Sequence, residues 1–232
     1  MVAFSSLLVA FTAIVGALAA PTELVKDDNV LDLLSRGPSN FVLDTTNTTS
    51  LVRRAGINYN QDYTTGGTVN YYHSSTGFQV NWNTQNDFVV GVGWNPGSNS
   101  PVNFGGQFSV SSGTGLLSVY GWTTNPLVEY YIIEDYHNQP SFGTQKGTVY
   151  SDGGNYVIWE NTRYNQPSIQ GTSTFNQYIS VRQSPRTQGT VTVQNHFNAW
   201  AKLGMNLGAM NFQVIAVEGW GGSGSASYAV SN

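Results

Sequence analysis

The feature that most constrains the fold is a series of short, strand-like runs separated by turn-forming residues. The runs are rich in Val, Ile, Phe, Tyr and Trp, and the breaks between them hold clusters such as Thr65-Gly66-Gly67 and Asp152-Gly153-Gly154. They occupy residues 68–73, 76–82, 88–94, 102–110, 115–122, 128–136, 146–150, 153–162, 177–181, 189–193 and 211–220. Many short strands with regular turn signals predict an all-β sandwich.

One segment departs from this pattern. Within residues 192–207, Phe197, Trp200 and Leu203 recur every third position, and Gly204 follows as a candidate helix C-cap. The pattern predicts a single α-helix in an otherwise all-β domain.

The N-terminal residues have a different character. Residues 2–20 form an apolar run that ends around Ala17-Leu18-Ala19, which predicts a signal peptide over residues 1–20 and a secreted, extracellular protein. A membrane anchor is the alternative. The run is near the lower limit of spanning length and lacks a basic flank, so the signal peptide is favoured.

Residues 21–54 are more densely charged and end in the dibasic pair Arg53-Arg54. This composition predicts a propeptide removed by a kexin-type protease, which leaves residues 55–232 as one catalytic domain. The alternative is a disordered tail that stays attached. The sequon Asn47-Thr48-Thr49 lies in this segment.

Charge and composition limit the partners. The chain has 9 Lys and Arg against 13 Asp and Glu, and no basic stripe of the kind that a nucleic-acid partner needs. It has no cysteine and no Cys/His cluster typical of zinc sites, so no cofactor or metal is expected. Its 6 Trp, 13 Tyr and 11 Phe, together with many amides and hydroxyls, suit sugar binding, although most single aromatics are expected in the core.

Two strands each place a glutamate among apolar neighbours. Side chains alternate between faces in a strand, so Glu129 shares a face with Tyr131, and Glu218 shares one with Ala216. A carboxylate on such a face is unfavourable unless it meets a cleft or a partner. Paired carboxylates in an aromatic cleft are the machinery of glycosidases.

Periodicity alone leaves alternatives open. A salt bridge or an edge-strand charge would also explain each glutamate, and periodicity does not separate Glu129 from Glu134 or Glu160.

Several motifs resemble one enzyme family. NPLVEYYIIED resembles the nucleophile motif of the family 11 glycoside hydrolases, the endo-β-1,4-xylanases, and AVEGW resembles their acid/base motif. The supporting matches follow in the expected order over essentially all of residues 55–230. They are GINYNQDY, DFVVGVGWNPG, VYGWT, RYNQPSIQG, QYISVRQS and HFNAWAKLGMNLG.

The resemblance implies a fold, a reaction and a catalytic pair. The fold would be a β-jelly roll sandwich of two twisted antiparallel sheets with one α-helix. The reaction would be endo-hydrolysis of xylan with retention, with Glu129 as nucleophile and Glu218 as acid/base, which requires their carboxyl groups roughly 5–5.5 Å apart. We expect a monomer that binds xylan and neither nucleic acid nor membrane.

The resemblance also implies roles for further residues, each taken from the matching position of the family motif. Asp87 matches a position that contacts the acid/base and is Asp in acid-adapted members, so an acidic pH optimum is expected. Trp122 is a candidate for either the cleft wall or the core. The positions expected to bind substrate are Tyr63, Tyr120, Tyr131, Arg163, Pro167, Ser168 and Gln177.

The chain departs from the family pattern at four positions, none of them in the catalytic pair: Gln170, Ile179, Phe212 and Trp220. The Phe212 change removes a hydroxyl and is expected to weaken one sugar subsite. Two rival functions remain: a related jelly-roll β-1,4-glucanase, and a non-catalytic carbohydrate-binding module.

Overall fold

The structure, a computed structural model, describes residues 56–232. The predicted signal peptide and propeptide lie outside the described residues. Within the described range there are eleven strands and one helix. The strands are β1 (Tyr59–Thr64), β2 (Thr68–Ser74), β3 (Gly77–Thr84), β4 (Phe88–Trp94), β5 (Val102–Thr124), β6 (Val128–His137), β7 (Thr144–Ser151), β8 (Gly154–Gln166), β9 (Ser173–Arg182), β10 (Gln188–Val191) and β11 (Ala209–Ser231). The helix, α1, is Val193–Lys202.

Two long strands, β5 and β11, connect the layers of the sandwich. They pair with each other almost from end to end, and their register shifts between Trp220 and Ser223. On one side of this shift lies the larger layer, in the order β1-β4-β11-β5-β6-β9-β8-β7. On the other side, β11 pairs with β3, β3 pairs with β2, and β5 pairs with β10. The result is a twisted β-jelly roll.

Each face of the larger layer carries its own apolar cluster. The interlayer core includes Val128, Tyr130 and Ile132 of β6, which pack with residues of both layers and with Trp200 of α1. The opposite face, which we call the cleft face, carries a second cluster. Its members are Val89, Leu116, Tyr120, Trp122, Tyr131, Ile133, Phe142, Phe175, Ile179, Val181, Phe212, Val214 and Ala216. The predicted alternation in β6 and β11 is therefore confirmed.

The helix ends as its sequence predicts. Trp200 is fully buried, and Gly204 adopts φ of +77°, a left-handed conformation that glycine accepts without strain. The amides of Gly204 and Met205 donate to the carbonyls of Ala201 and Trp200, which is a Schellman cap. Leu203 is more exposed than the periodicity implied, at 37%.

The structure also differs from the sequence prediction in detail. The predicted runs 102–110 and 115–122 form a single bent strand, because the intervening residues bulge without leaving the sheet. The run 211–220 continues through the Gly/Ser-rich tail to Ser231. One pair, β6 with β9, is parallel; β9 returns beside β6 only after the β7–β8 hairpin has crossed to the sheet edge. In the described range no helix is long and apolar enough to cross a membrane.

Candidate active site

Two glutamates lie on the cleft face of the larger layer. Glu129 is in β6 and Glu218 is in β11, on either side of β5. Glu129 is only 8% exposed, whereas Glu218 keeps partial contact with solvent. The negative charge of Glu129 raises the pKa of Glu218, which indicates that the two carboxyl groups lie near each other. The strands therefore bring together the pair that the sequence predicted.

Glu129 is surrounded by hydrogen-bond donors. Its Oε1 atom accepts bonds from the hydroxyls of Tyr120 (2.8 Å) and Tyr131 (3.1 Å). Its Oε2 atom accepts a bond from Nε2 of Gln177 (2.8 Å). Burial is the largest effect and leaves the pKa of Glu129 raised, although these three donors and the positive charge of Arg163 lower it. Donors of this kind stabilise the ionised carboxylate.

Two of these donors are held by further residues. The indole Nε1 of Trp122 donates to the Tyr120 hydroxyl at 2.7 Å. Because an indole N–H can only donate, the Tyr120 oxygen accepts from it and directs its own proton to Glu129. On the other side, Nδ2 of Asn161 donates to Oε1 of Gln177 at 2.8 Å. Trp122 is 4% exposed, so it is a core residue.

Glu218 has a different environment. Its Oε2 atom is buried and has no hydrogen-bond partner within the described residues. Burial and the charges of Asp87 and Glu129 hold its pKa well above the usual value, against weaker opposing effects of the Tyr131 hydroxyl and Arg163. A carboxyl group in this setting keeps its proton to a higher pH than a free glutamate does.

Asp87 lies beside Glu218. It precedes β4, whose residue Phe88 pairs with Gly219, the residue after Glu218. Its Oδ1 atom is also buried and without a partner among the described residues. Burial and the charge of Glu129 raise its pKa to about 6, against lowering by Arg163 and by the Phe88 amide. A proton on Asp87 or Glu218 would let one carboxyl donate to the other.

Two further predicted residues, Tyr63 and Arg163, border this cluster. Tyr63 of β1 is 39% exposed, and burial and the charges of Asp87, Glu129 and Glu218 raise its pKa, so its ring lies near all three acids. Arg163 is exposed in β8 yet close enough to lower the pKa of Glu129, as described above.

The turn between β8 and β9 holds Pro167 and Ser168. The Ser168 hydroxyl donates to the Gly171 carbonyl at 2.6 Å and accepts from the Gln170 amide at 3.0 Å. These bonds shape the turn itself, and none of them reaches the two glutamates.

Glu134 and Glu160 serve other purposes. Glu134 is buried on the interlayer side, where it pairs with Arg186 and accepts a hydrogen bond from the Tyr156 hydroxyl at 2.6 Å. Glu160 pairs with Lys146 at 2.9 Å near the surface. The distinction that periodicity left open follows from these ion pairs.

Sequence reasoning overlooked three contacts of this site. Asn161 and the donor role of Trp122 have no motif that would reveal them, because both depend on pairing between distant strands. Phe212 stacks on Tyr59 with ring centroids 4.6 Å apart. Phe212 is therefore covered by a ring from β1, which its sequence position did not indicate.

Comparison with known proteins gives consistent results. The family model described as "Glycosyl hydrolases family 11" matches residues 55–229. "Endo-1,4-beta-xylanase 1" of Hypocrea jecorina is 69% identical over 232 residues, covering 100% of both chains. "Ethylene-inducing xylanase 2" of Botryotinia fuckeliana is 62% identical over 231 residues, again covering 100% of both chains.

A solved structure agrees with these matches. It comes from a study titled as a structural comparison of two major endo-1,4-beta-xylanases from "Trichodrema reesei". It is 76% identical in sequence with a TM-score of 0.76, and the match covers 77% of this chain and 100% of that one.

Proposed function

The chain belongs to glycosyl hydrolase family 11, and we propose that it is a retaining endo-1,4-β-xylanase that cleaves internal bonds of xylan. The observation that carries the proposal is the contrast between two carboxyl groups on one face. Glu129 accepts three hydrogen bonds, whereas Oε2 of Glu218 accepts none from residues 56–232. An ionised and a protonated carboxyl on one face are what a double-displacement glycosidase requires.

In the first step, the Glu129 carboxylate attacks the anomeric carbon of the sugar. The glycosidic C–O bond breaks as Glu218 transfers its proton to the departing oxygen, which leaves a glycosyl ester on Glu129. The donors on Glu129 favour its ionised form before attack, and the raised pKa of Glu218 keeps its proton available.

In the second step, Glu218 has become a carboxylate and acts as a base. It takes a proton from a water molecule, whose oxygen attacks the anomeric carbon and displaces Glu129. Two inversions at this carbon give net retention. Arg163 and Tyr63 border the same face and are suited to orient the sugar.

Asp87 tunes this cycle toward acidic pH. When Asp87 is protonated, it can donate to the unpartnered oxygen of Glu218, whose other oxygen then carries the catalytic proton. This arrangement is lost as Asp87 ionises, and its pKa is raised only to about 6. Activity should therefore fall as the pH rises through this region.

The proposal includes the maturation of the chain. We infer that residues 1–20 direct secretion and that cleavage after Arg54 releases a monomeric enzyme. N-terminal sequencing of the secreted protein and its molar mass by light scattering test these two points.

Activity assays test the main proposal. Reducing-sugar release from xylan should greatly exceed release from carboxymethylcellulose, and proton NMR should show the β-anomer as the first product. Preference for carboxymethylcellulose would favour the glucanase. Binding to xylan without hydrolysis would favour the carbohydrate-binding module, and unchanged hydrolysis by Glu129→Ala would contradict the catalytic role of Glu129.

A further inference from the structure

One row of polar side chains crosses three strands beside the proposed nucleophile. Glu129 of β6 is in register with Gln177 of β9, and Gln177 is in register with Asn161 of β8. All three side chains are on the cleft face. They are joined by two hydrogen bonds of 2.8 Å each, from Asn161 to Gln177 and from Gln177 to Glu129.

The donor–acceptor direction of these two hydrogen bonds depends on the orientation of the Gln177 amide. Its NH₂ group can donate, and its carbonyl oxygen can only accept. Glu129 benefits only when the NH₂ end faces it. If the amide turned over, the carbonyl oxygen would face the carboxylate, and an attraction would become a repulsion.

We propose that Asn161 is a positioning residue, which holds the Gln177 amide with its NH₂ group toward Glu129 by donating to the Gln177 carbonyl oxygen. This inference rests on the proposed function, since it gives Glu129 the role of nucleophile. Asn161 acts through Gln177 and has no hydrogen bond to Glu129 itself.

The hydrogen bond from Asn161 to Gln177 matters most when Glu129 is protonated or esterified and so is not a carboxylate. An ionised Glu129 selects the NH₂ end of Gln177 by itself, because a carboxylate only accepts. This selection disappears once Glu129 is protonated or esterified, and Asn161 then keeps the amide in its orientation. The donor is thus in place when the carboxylate forms again.

Other groups also act on Glu129 and form the background to any test. Tyr120 comes from β5 and Tyr131 from β6 itself. Arg163 faces it from β8, Asp87 from the segment before β4, Glu218 from β11 and Tyr63 from β1. A variant that alters only the amide should leave all of these in place.

Asn161→Leu has nearly the same size and removes the donor without adding charge. We expect the acidic limb of the kcat/KM profile on xylan to move to higher pH by about half a unit to one unit. At a pH below that limb, kcat/KM should fall about three- to tenfold. The alkaline limb should stay in place.

A double-mutant cycle separates positioning from a general effect on the fold. In a Gln177→Ala background there is no amide to orient, so adding Asn161→Leu should cause no further shift. Thr162→Val is the matched control, because it removes a hydrogen bond to Asn176 of 2.9 Å between the same two strands on the opposite face. This control should leave the profile unchanged.

A direct titration of Glu129 can also be applied to variants whose activity is too low for a pH–rate profile. The carboxyl carbon of Glu129, followed by NMR, should titrate at higher pH in Asn161→Leu than in the unaltered enzyme. Should Asn161→Leu fold poorly, Asn161→Asp keeps the size and polarity, competes with Glu129 for the Gln177 NH₂ group, and should give the same direction.

The proposal is wrong if Glu129 titrates unchanged, or if the shift is equally large without Gln177. Failure of the proposed function would look different, since the unaltered enzyme would then not hydrolyse xylan or would keep its activity in Glu129→Ala.

Discussion

Glu129 and Glu218 share one face of the larger layer, yet the first accepts three hydrogen bonds while Oε2 of the second accepts none within the described residues. Both carboxyl groups are in surroundings that favour the neutral acid through burial. Glu129 has three compensating donors, whereas the opposing effects of the Tyr131 hydroxyl and Arg163 on Glu218 are weaker, so we expect the first proton bound by the pair on Glu218. The neighbours of these two identical side chains thus support the different chemical roles that we propose for them.

Replacing Glu218 by Gln should reduce activity most on substrates whose leaving group needs a proton to depart. We expect kcat on xylan to fall by about 10²- to 10⁴-fold, because the amide cannot donate the required proton. An aryl xylobioside with an acidic phenol should lose far less, because its leaving group departs without protonation. Steady-state kinetics on both substrates measure the difference.

The control for this prediction is Glu134→Gln, which alters the buried glutamate on the opposite face. It should reduce stability and leave the ratio of the two substrates unchanged. Equal losses on both substrates in Glu218→Gln would contradict the role of general acid.

Replacing Asp87 by Asn should extend activity toward neutral pH. The alkaline limb of the unaltered enzyme follows the loss of a proton from Asp87, whose pKa is about 6. Asparagine donates at every pH and does not ionise, so the limb should then follow Glu218, whose pKa burial and the charge of Glu129 still raise. A pH–rate profile of kcat/KM checks this, and an unmoved optimum would contradict it.

Replacing Tyr120 by Phe should change both acidity and stability. Glu129 loses one donor, so its pKa rises. The acidic limb of the pH–activity profile should therefore move to higher pH. Nε1 of Trp122 also loses its buried acceptor, at a loss of about 1–3 kcal/mol in unfolding free energy. Urea unfolding and the acidic limb of kcat/KM measure the two effects.

Tyr130→Phe is the matched control for Tyr120→Phe. The Tyr130 hydroxyl accepts from Nε2 of Gln213 at 3.0 Å in the interlayer core. Its loss should reduce stability similarly without moving the acidic limb. A shift of that limb in Tyr130→Phe would mean that it reports stability rather than the ionisation of Glu129.

Replacing His196 by Phe should make the fold more resistant to acid. His196 is fully buried, and neither ring nitrogen has a hydrogen-bond partner among the described residues. Burial lowers its pKa to about 3, so between pH 6.5 and 3 the unfolded chain binds a proton that the folded chain does not. The free energy of unfolding therefore decreases as the pH is lowered through this window, and at pH 4 it is about 3 kcal/mol smaller than at neutral pH.

Phenylalanine keeps the edge contact with Tyr156, whose centroid is 4.6 Å away, and removes the titration. Unfolding free energies at pH 4.0 and 7.5 should then differ by about 3 kcal/mol less than in the unaltered protein. The exposed His73 is the control, and its replacement should not change the difference. The same change in stability at both pH values would rule out this account.

Much of the fold follows from local patterns in the sequence. Alternating apolar residues define the strands, and the alternation assigns Val128 and Ile132 to the interlayer core and Glu129 to the cleft face. Gly204 marks the end of the helix because few other residues accept its backbone conformation. These features depend on residues within a few positions of one another, so a single sequence contains them.

The partners of each carboxylate depend on contacts that local patterns do not contain. The alternation offered no reason to prefer Glu129 over Glu134; that distinction came first from the resemblance to known motifs. Its physical basis is tertiary, since Arg186 and Tyr156 reach Glu134 from other strands while Tyr120 and Gln177 reach Glu129. Asn161 is opposite Gln177 only because β9 returns between β6 and β8. The sequence by itself thus determined most strands and their faces and, through the resemblance, predicted the catalytic pair, whereas strand order and register decided which groups surround each carboxyl and hence on which one they favour a proton.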